Sequence, residues 1–149
     1  MPNRSRKTKS PSQTKKLGEV LAKEILKKRP KEKALVVGLK GDLGGGKTTF
    51  LQGFAKGLGI KQKITSPTFL IIKTFPLSQP FFRNFFHIDC YRIEKEKEIL
   101  SLGFREIINN PKNIVAIEWV DKIEKLLPQD SLILKFDLIN QKTRKIKRA

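Results

Sequence analysis

Leu17, Val20, Leu21 and Ile25 recur at helical spacing ahead of Pro30, with lysines and glutamates between them. One apolar stripe on an otherwise charged segment predicts an amphipathic helix. Ser10-Pro11-Ser12-Gln13 marks its start: Ser10 as the cap, Pro11 at the first helical position, and Gln13 placed to close a capping box. Residues 34–39 (Ala-Leu-Val-Val-Gly-Leu) are almost continuously apolar, the pattern of a strand buried on both faces. A glycine-rich turn follows, then a second helical pattern from Thr49 to Leu58, closed by Gly59. Residues 69–75, 85–89, 113–117 and 131–139 read as further strands. A helix is expected over 94–102, stopped by Gly103, and a short one ending near Leu127 and Pro128. Strands alternating with helices predict an α/β layered fold with a largely parallel central sheet flanked by helices.

Length and charge refine this picture. At 149 residues the chain fits one domain with a core of its own. Its single cysteine, Cys90, excludes an internal disulfide and a cysteine-rich zinc site, and reads as a small buried hydrophobe. No apolar run approaches the length of a membrane span, and no signal-peptide pattern follows the basic N-terminus, so the expected location is cytoplasmic, with no membrane partner. The net charge is +18. Residues 1–16 carry six basic side chains and no acid, and residues 140–149 carry five and none. The expected organisation is therefore a basic N-terminal tail (1–9), a domain (10–139) and a basic C-terminal tail (140–149). Such ends suit a polyanion such as RNA. They equally suit plain solvated tails, and neither holds an aromatic residue on which a base could stack.

The chemistry centres on Gly41-Asp42-Leu43-Gly44-Gly45-Gly46-Lys47-Thr48, a complete G-x-x-x-x-G-K-T between a strand and a helix. Glycines let the backbone wrap a phosphate chain, and successive N–H groups and the helix N-terminus point at the anion. Lys47 supplies charge to the outer phosphates, and the Thr48 hydroxyl is placed to ligand Mg²⁺. The chain thus reads as a P-loop nucleotide-binding protein. An Asn-Lys-x-Asp guanine signature is absent, which favours ATP. Mg²⁺ needs a carboxylate besides Thr48, and Asp89 and Glu118 both end expected strands. Either could touch the ion, directly or through water, while the other orients an attacking water. His87, the only histidine, reads as a structural strand residue, and the phenylalanines at 81, 82, 85 and 86 as core.

The P-loop continuing into Thr49-Phe50, the segment Thr65-Ser66-Pro67-Thr68-Phe69, the run His87-Ile88-Asp89-Cys90-Tyr91-Arg92 and the pair Glu118-Trp119 resemble, in order and spacing, the motifs of the bacterial TsaE (YjeE) proteins. Thr14 with Leu17-Gly18 is similar to that family's N-terminal helix near the adenine. The likeness runs from about residue 10 to 137; the basic extensions are outside it. It implies a small P-loop ATPase, slow alone, that supports threonylcarbamoyladenosine modification of tRNA by binding a TsaB–TsaD assembly, with tRNA met indirectly or through the tails. It further implies ATP contacts from Thr14, Asp42, Leu43, Gly44, Gly45, Gly46, Lys47, Thr48, Thr49, Ser66, Thr68 and Trp119. Thr48 and Glu118 would be metal ligands, and Asp89 a second carboxylate for metal or catalysis beside Lys47. Ser66 and Thr68 would sense the γ-phosphate, with Trp119 packed nearby. Two alternatives remain. A small-molecule kinase would need an arginine-bearing lid, and only Arg29, Arg83, Arg92 and Arg105, scattered, lie between 17 and 139. A nucleotide-gated RNA-binding module would use the basic ends directly.

Overall fold

The computed structural model describes residues 5–41, 44, 46–65 and 71–149. Seven strands form one sheet: β1 (Arg6–Thr8), β2 (Leu35–Gly41), β3 (Ile72–Pro76), β4 (Asn84–Asp89), β5 (Asn113–Glu118), β6 (Leu132–Leu138) and β7 (Arg144–Arg148). Their spatial order is β1-β7-β6-β2-β5-β4-β3. The inner four, β6-β2-β5-β4, are parallel, as the apolar runs predict; β1, β7 and β3 join antiparallel at the flanks.

Strand alternation sorts side chains onto two faces. Val37 and Leu39 of β2, Phe85 of β4, Ile114 and Ala116 of β5 and Phe136 of β6 pack beneath α1 (Pro11–Leu26) and α2 (Lys47–Gly57). Val36, Ile88, Val115 and Ile117 face the other way, against α3 (Glu96–Leu100), α4 (Phe104–Ile108) and two 3-10 turns, Val120–Lys122 and Glu124–Leu126. Of the four phenylalanines expected as core, Phe82 and Phe85 are fully buried, while Phe81 and Phe86 are half-buried against the two clusters.

Glycines let α1 and α2 meet backbone to backbone. A Cβ added at Gly53 would lie 1.9 Å from the Lys15 carbonyl oxygen, and one at Gly18 would lie 2.2 Å from that of Phe50. The start of α1 is capped as expected, with Ser10 Oγ accepting from the Gln13 N–H at 3.1 Å. Gln13 reaches back to the N–H of Lys9, at 2.7 Å, rather than to that of Ser10.

Helix α1 ends at Leu26, before Pro30 as expected. Several other expectations are corrected. The single helix expected over 94–102 is two short ones, because Gly103 takes a left-handed conformation and starts α4 instead of only ending α3. The short helix near Leu127 is the pair of 3-10 turns. The ends are not tails outside the domain: Arg6–Thr8 and Arg144–Arg148 pair with each other, and the latter pairs with β6. Ile146 anchors this addition, fully buried among lysines and arginines.

Candidate nucleotide site

The parallel strands end together, and the chemistry-bearing residues collect at those carboxyl ends, where α/β sheets commonly bind ligands. Gly41 ends β2 and Gly46 opens α2 in a left-handed conformation (φ 96°). The helix therefore begins at Lys47, with Thr48 and Thr49 in its first turn and the Phe50 N–H bonded to the Gly46 carbonyl. Gly44 is exposed with φ 77°. Asp42, Leu43 and Gly45 of the loop, and Ser66 and Thr68 of the downstream segment, lie outside the described residues.

Lys47 is buried, and its ammonium donates to the Gly41 carbonyl at 2.8 Å while sitting 4.2 Å from the centre of the Trp119 ring. Trp119 in turn packs on Tyr91, ring centres 5.2 Å apart. Among the described residues Trp119 is the sole non-glycine with positive φ, at 58°. A left-handed backbone costs an ordinary L residue about 1–2 kcal/mol. Here that conformation turns the indole from the end of β5 onto the lysine, where cation–π attraction offsets part of the cost.

Glu118 joins two elements. Its Oε1 accepts from the Thr48 hydroxyl at 3.1 Å, and its Oε2 lies 2.8 Å from His87 Nε2. Both Glu118 and His87 are buried, and His87 Nδ1 has no hydrogen-bond partner. With Glu118 ionised, the proton of a neutral ring sits on Nε2 and Nδ1 keeps a bare lone pair; a doubly protonated ring would bury an unsatisfied donor, which is costlier. His87 thus aims the carboxylate, a role that reading it as purely structural missed. The signal was present in the sequence: His87 and Asp89 are two apart on one strand and share a face.

Asp89 pairs in register with Glu118 across β4 and β5 and is half-buried. Burial holds its carboxyl above the usual range and the Glu118 charge adds to this, while the Tyr91 N–H, donating to Oδ1 at 2.9 Å, works against it. Adjacent Cys90 is buried, which pushes its thiol up to about 12, so it is no nucleophile. Arg92 is exposed on the same rim.

Thr14 lies in the first turn of α1, buried, its hydroxyl 2.7 Å from that of Thr8. A Cβ placed on Gly46 would lie 3.5 Å from both Thr14 Cγ2 and Arg144 Cγ. The phosphate loop is therefore flanked by β1 and β7 through Thr8, Thr14 and Arg144. Neither Thr8 nor Arg144 was expected at the site, since their strands are not legible in the sequence. The arginine guanidinium also ties down its own turn, donating to the carbonyls of Asn140 and Gln141 at 3.1 and 3.2 Å.

A family model described as threonylcarbamoyl adenosine biosynthesis protein TsaE matches residues 8–146, all but a few residues at either end. The chain belongs to the TsaE family. It is 34% identical over 114 residues to the tRNA threonylcarbamoyladenosine biosynthesis protein TsaE of Haemophilus influenzae, covering 76% of this chain and 70% of that one. It is 44% identical over 102 residues to the TsaE of Bacillus subtilis, covering 65% and 58%. The matched segment thus spans less than two-thirds of the Bacillus protein. Among solved structures, YdiB of Bacillus subtilis superposes with a TM-score of 0.72 at 31% identity, over 97% of this chain and 83% of that one. The match to the TsaE model runs from Thr8, the last residue of β1, to Ile146 in β7, so it takes in most of the basic C-terminal segment up to β7.

Among the described residues no group of three or more His, Cys, Asp and Glu side chains can hold a metal by itself. Mg²⁺ is commonly held by one or two carboxylates together with substrate phosphates. The Thr48–Glu118 contact provides one hydroxyl and one carboxylate in the same place.

Proposed function

We propose that this TsaE-family protein binds and slowly hydrolyses ATP with Mg²⁺, in support of threonylcarbamoyladenosine formation on tRNA through a TsaB–TsaD-type complex in the cytoplasm. The observation that carries this reading is the convergence of Lys47, Thr48 and Glu118, from two elements, at the mouth of the phosphate loop. The relatives' role in tRNA threonylcarbamoyladenosine biosynthesis supplies the context. Among the described residues no helix is long and apolar enough to cross a membrane.

In this reading Lys47 exchanges its Gly41 carbonyl for a phosphate oxygen and stays oriented by the Trp119 ring. Thr48 and Glu118 hold Mg²⁺, which would neutralise charge on the phosphates when bound. His87 keeps Glu118 turned toward Thr48. Asp89, whose carboxyl is held above the usual range by burial, would accept or position the water proton. Thr14, steadied by Thr8, lines the approach for the base beside Gly46, with Gly44 and Thr49 adding backbone and side-chain contacts.

ATP hydrolysis by the purified chain, alone and with TsaB and TsaD, without and with tRNA, tests this. Strong stimulation by the protein partners, abolished in Lys47→Ala, is the expected result. His87→Leu should retain ATP binding while requiring more Mg²⁺ for turnover, because it frees the carboxylate without touching the phosphate loop. Phosphate transfer to a small molecule in place of hydrolysis would favour a kinase instead.

A further inference from the structure

The added strands create a surface that the nucleotide site does not use. Leu39 of β2, Leu134 and Phe136 of β6 and Ile146 of β7 belong to the cluster beneath α1 and α2. Alternation therefore sends Lys40, Lys135, Lys145 and Lys147 to the opposite face. Thr8 turns toward Thr14 of α1, which sends Lys7 to that opposite face as well. The apolar cluster covering this second face takes only Ile133 from β6, and nothing from β7 or β1. Among the described residues no α-helix of that cluster reaches this corner of the sheet, and the 3-10 turn Glu124–Leu126 meets it only through Glu124 at Lys40.

The register lines the lysines up. Lys40 stands opposite Lys135, and Lys135 opposite Lys147, making one row across three strands. Lys145 stands opposite Lys7 in the next row, with Asp137 on its other side. Two acids answer these five cations: Glu124, 3.3 Å from Lys40, and Asp137, 4.0 Å from Lys135. Lys7, Lys145 and Lys147 form no ion pair among the described residues. Like charges directly opposite one another destabilise a sheet, so these rows need a reason. Lysines often guard edge strands against aggregation, but that explains only Lys7 and Lys147, the latter lying beyond the stretch of β7 that β1 covers; Lys135 and Lys145 are paired on both sides, and Lys40 sits on the interior strand β2.

The geometry points to this lysine ladder as a docking surface for the phosphate backbone of RNA. It rests on the reading above only in taking tRNA as the relevant polyanion. Rows about 4.8 Å apart across strands and about 6.8 Å along them present a grid of flexible ammonium groups with no aromatic among them. Such a grid suits a sequence-independent grip on phosphates rather than base readout. Lys40 immediately precedes Gly41, so the grid runs up to the base of the phosphate loop.

The test is binding of an unmodified tRNA transcript to the full chain across a salt series. The triple variant Lys135→Gln, Lys145→Gln, Lys147→Gln is compared with a control of equal charge, Lys23→Gln, Lys61→Gln, Lys63→Gln. The ladder variant should lose about tenfold or more in affinity near 0.1 M salt, and its log–log salt slope should be shallower by about 2–3. The control should keep the wild-type slope within about one. ATP binding should match wild type in both, so failure here is separable from failure of the nucleotide reading. The ladder variant should also melt no lower than wild type, since opposed charges have been removed. The proposal is overturned if both triples fall alike, if neither falls, or if wild type does not bind the transcript. It is also overturned if the ladder variant keeps tRNA but loses the TsaB–TsaD assembly, which would make the surface one for an acidic protein.

Discussion

Asp89 is the residue where stability and function pull in opposite directions. Its carboxyl titrates above the ordinary value of 3.8 because folding half-buries it beside Glu118. In the pH interval above 3.8 the folded chain holds more protons at this site than the unfolded one, so stability falls as pH rises through the folded value. Above that interval the charged form carries a constant penalty. Asp89→Asn keeps the acceptor for the Tyr91 N–H and removes the charge. Without nucleotide or Mg²⁺, the variant should melt above wild type at pH 7, with the gap closing toward pH 4, while ATP turnover drops by at least about tenfold. A variant that melts lower at pH 7 would show that Asp89 is held by interactions favouring its charge. The same logic explains Trp119: a strained backbone persists where it aims a side chain at the site.

At the scale of elements, the crossing of α1 and α2 sets where the phosphate loop can sit, since α2 begins at Lys47 and α1 carries Thr14. Gly53→Ala should gain up to about 1 kcal/mol of helix propensity, yet its Cβ meets the backbone of Lys15, which has no rotamer to retreat into. Overpacking of this kind costs about 1–3 kcal/mol. The expected result is a lower urea midpoint at unchanged slope; a higher midpoint would mean the helices separate freely. The inner strands were legible because each is a run of β-branched and aromatic residues between turn signals, and β5 is apolar from Ile114 to Ile117. Strand β7 was not: Arg-Lys-Ile-Lys-Arg offers one apolar residue, and its conformation comes from pairing with β6 and β1. Helix α4 was missed because Gly103 looks like a stop when it is also a start. The P-loop and both carboxylates were readable as local motifs, whereas the His87–Glu118 bond spans 31 residues and needed the sheet register to appear.

For the whole molecule, the basic ends change from appendages to part of the machine. Ile146 is fully buried in the cluster that holds α1 and α2 against the sheet. β7 is the strand on which β1 forms, and Thr8 at the end of β1 meets Thr14. A line of contacts therefore runs from the C-terminal strand to the wall of the nucleotide site, with Arg144 lying alongside it at Gly46. Deleting residues 140–149 should lower stability by several kcal/mol, since loss of one buried isoleucine side chain alone costs about 2–5 kcal/mol. ATP binding should weaken with it, because Thr8 loses its strand partner and Thr14 its anchor. Ile146→Ala separates the two effects. It should lower the urea midpoint by about 2–4 kcal/mol of stability while leaving ATP affinity within about threefold of wild type, because the backbone pairing that carries Thr8 survives. If the deletion leaves both the midpoint and ATP affinity unchanged, the strands are ornaments on a domain complete at residue 139. If only affinity changes, the C-terminal strand serves the site through Thr8, Thr14 and Arg144 without supporting the core.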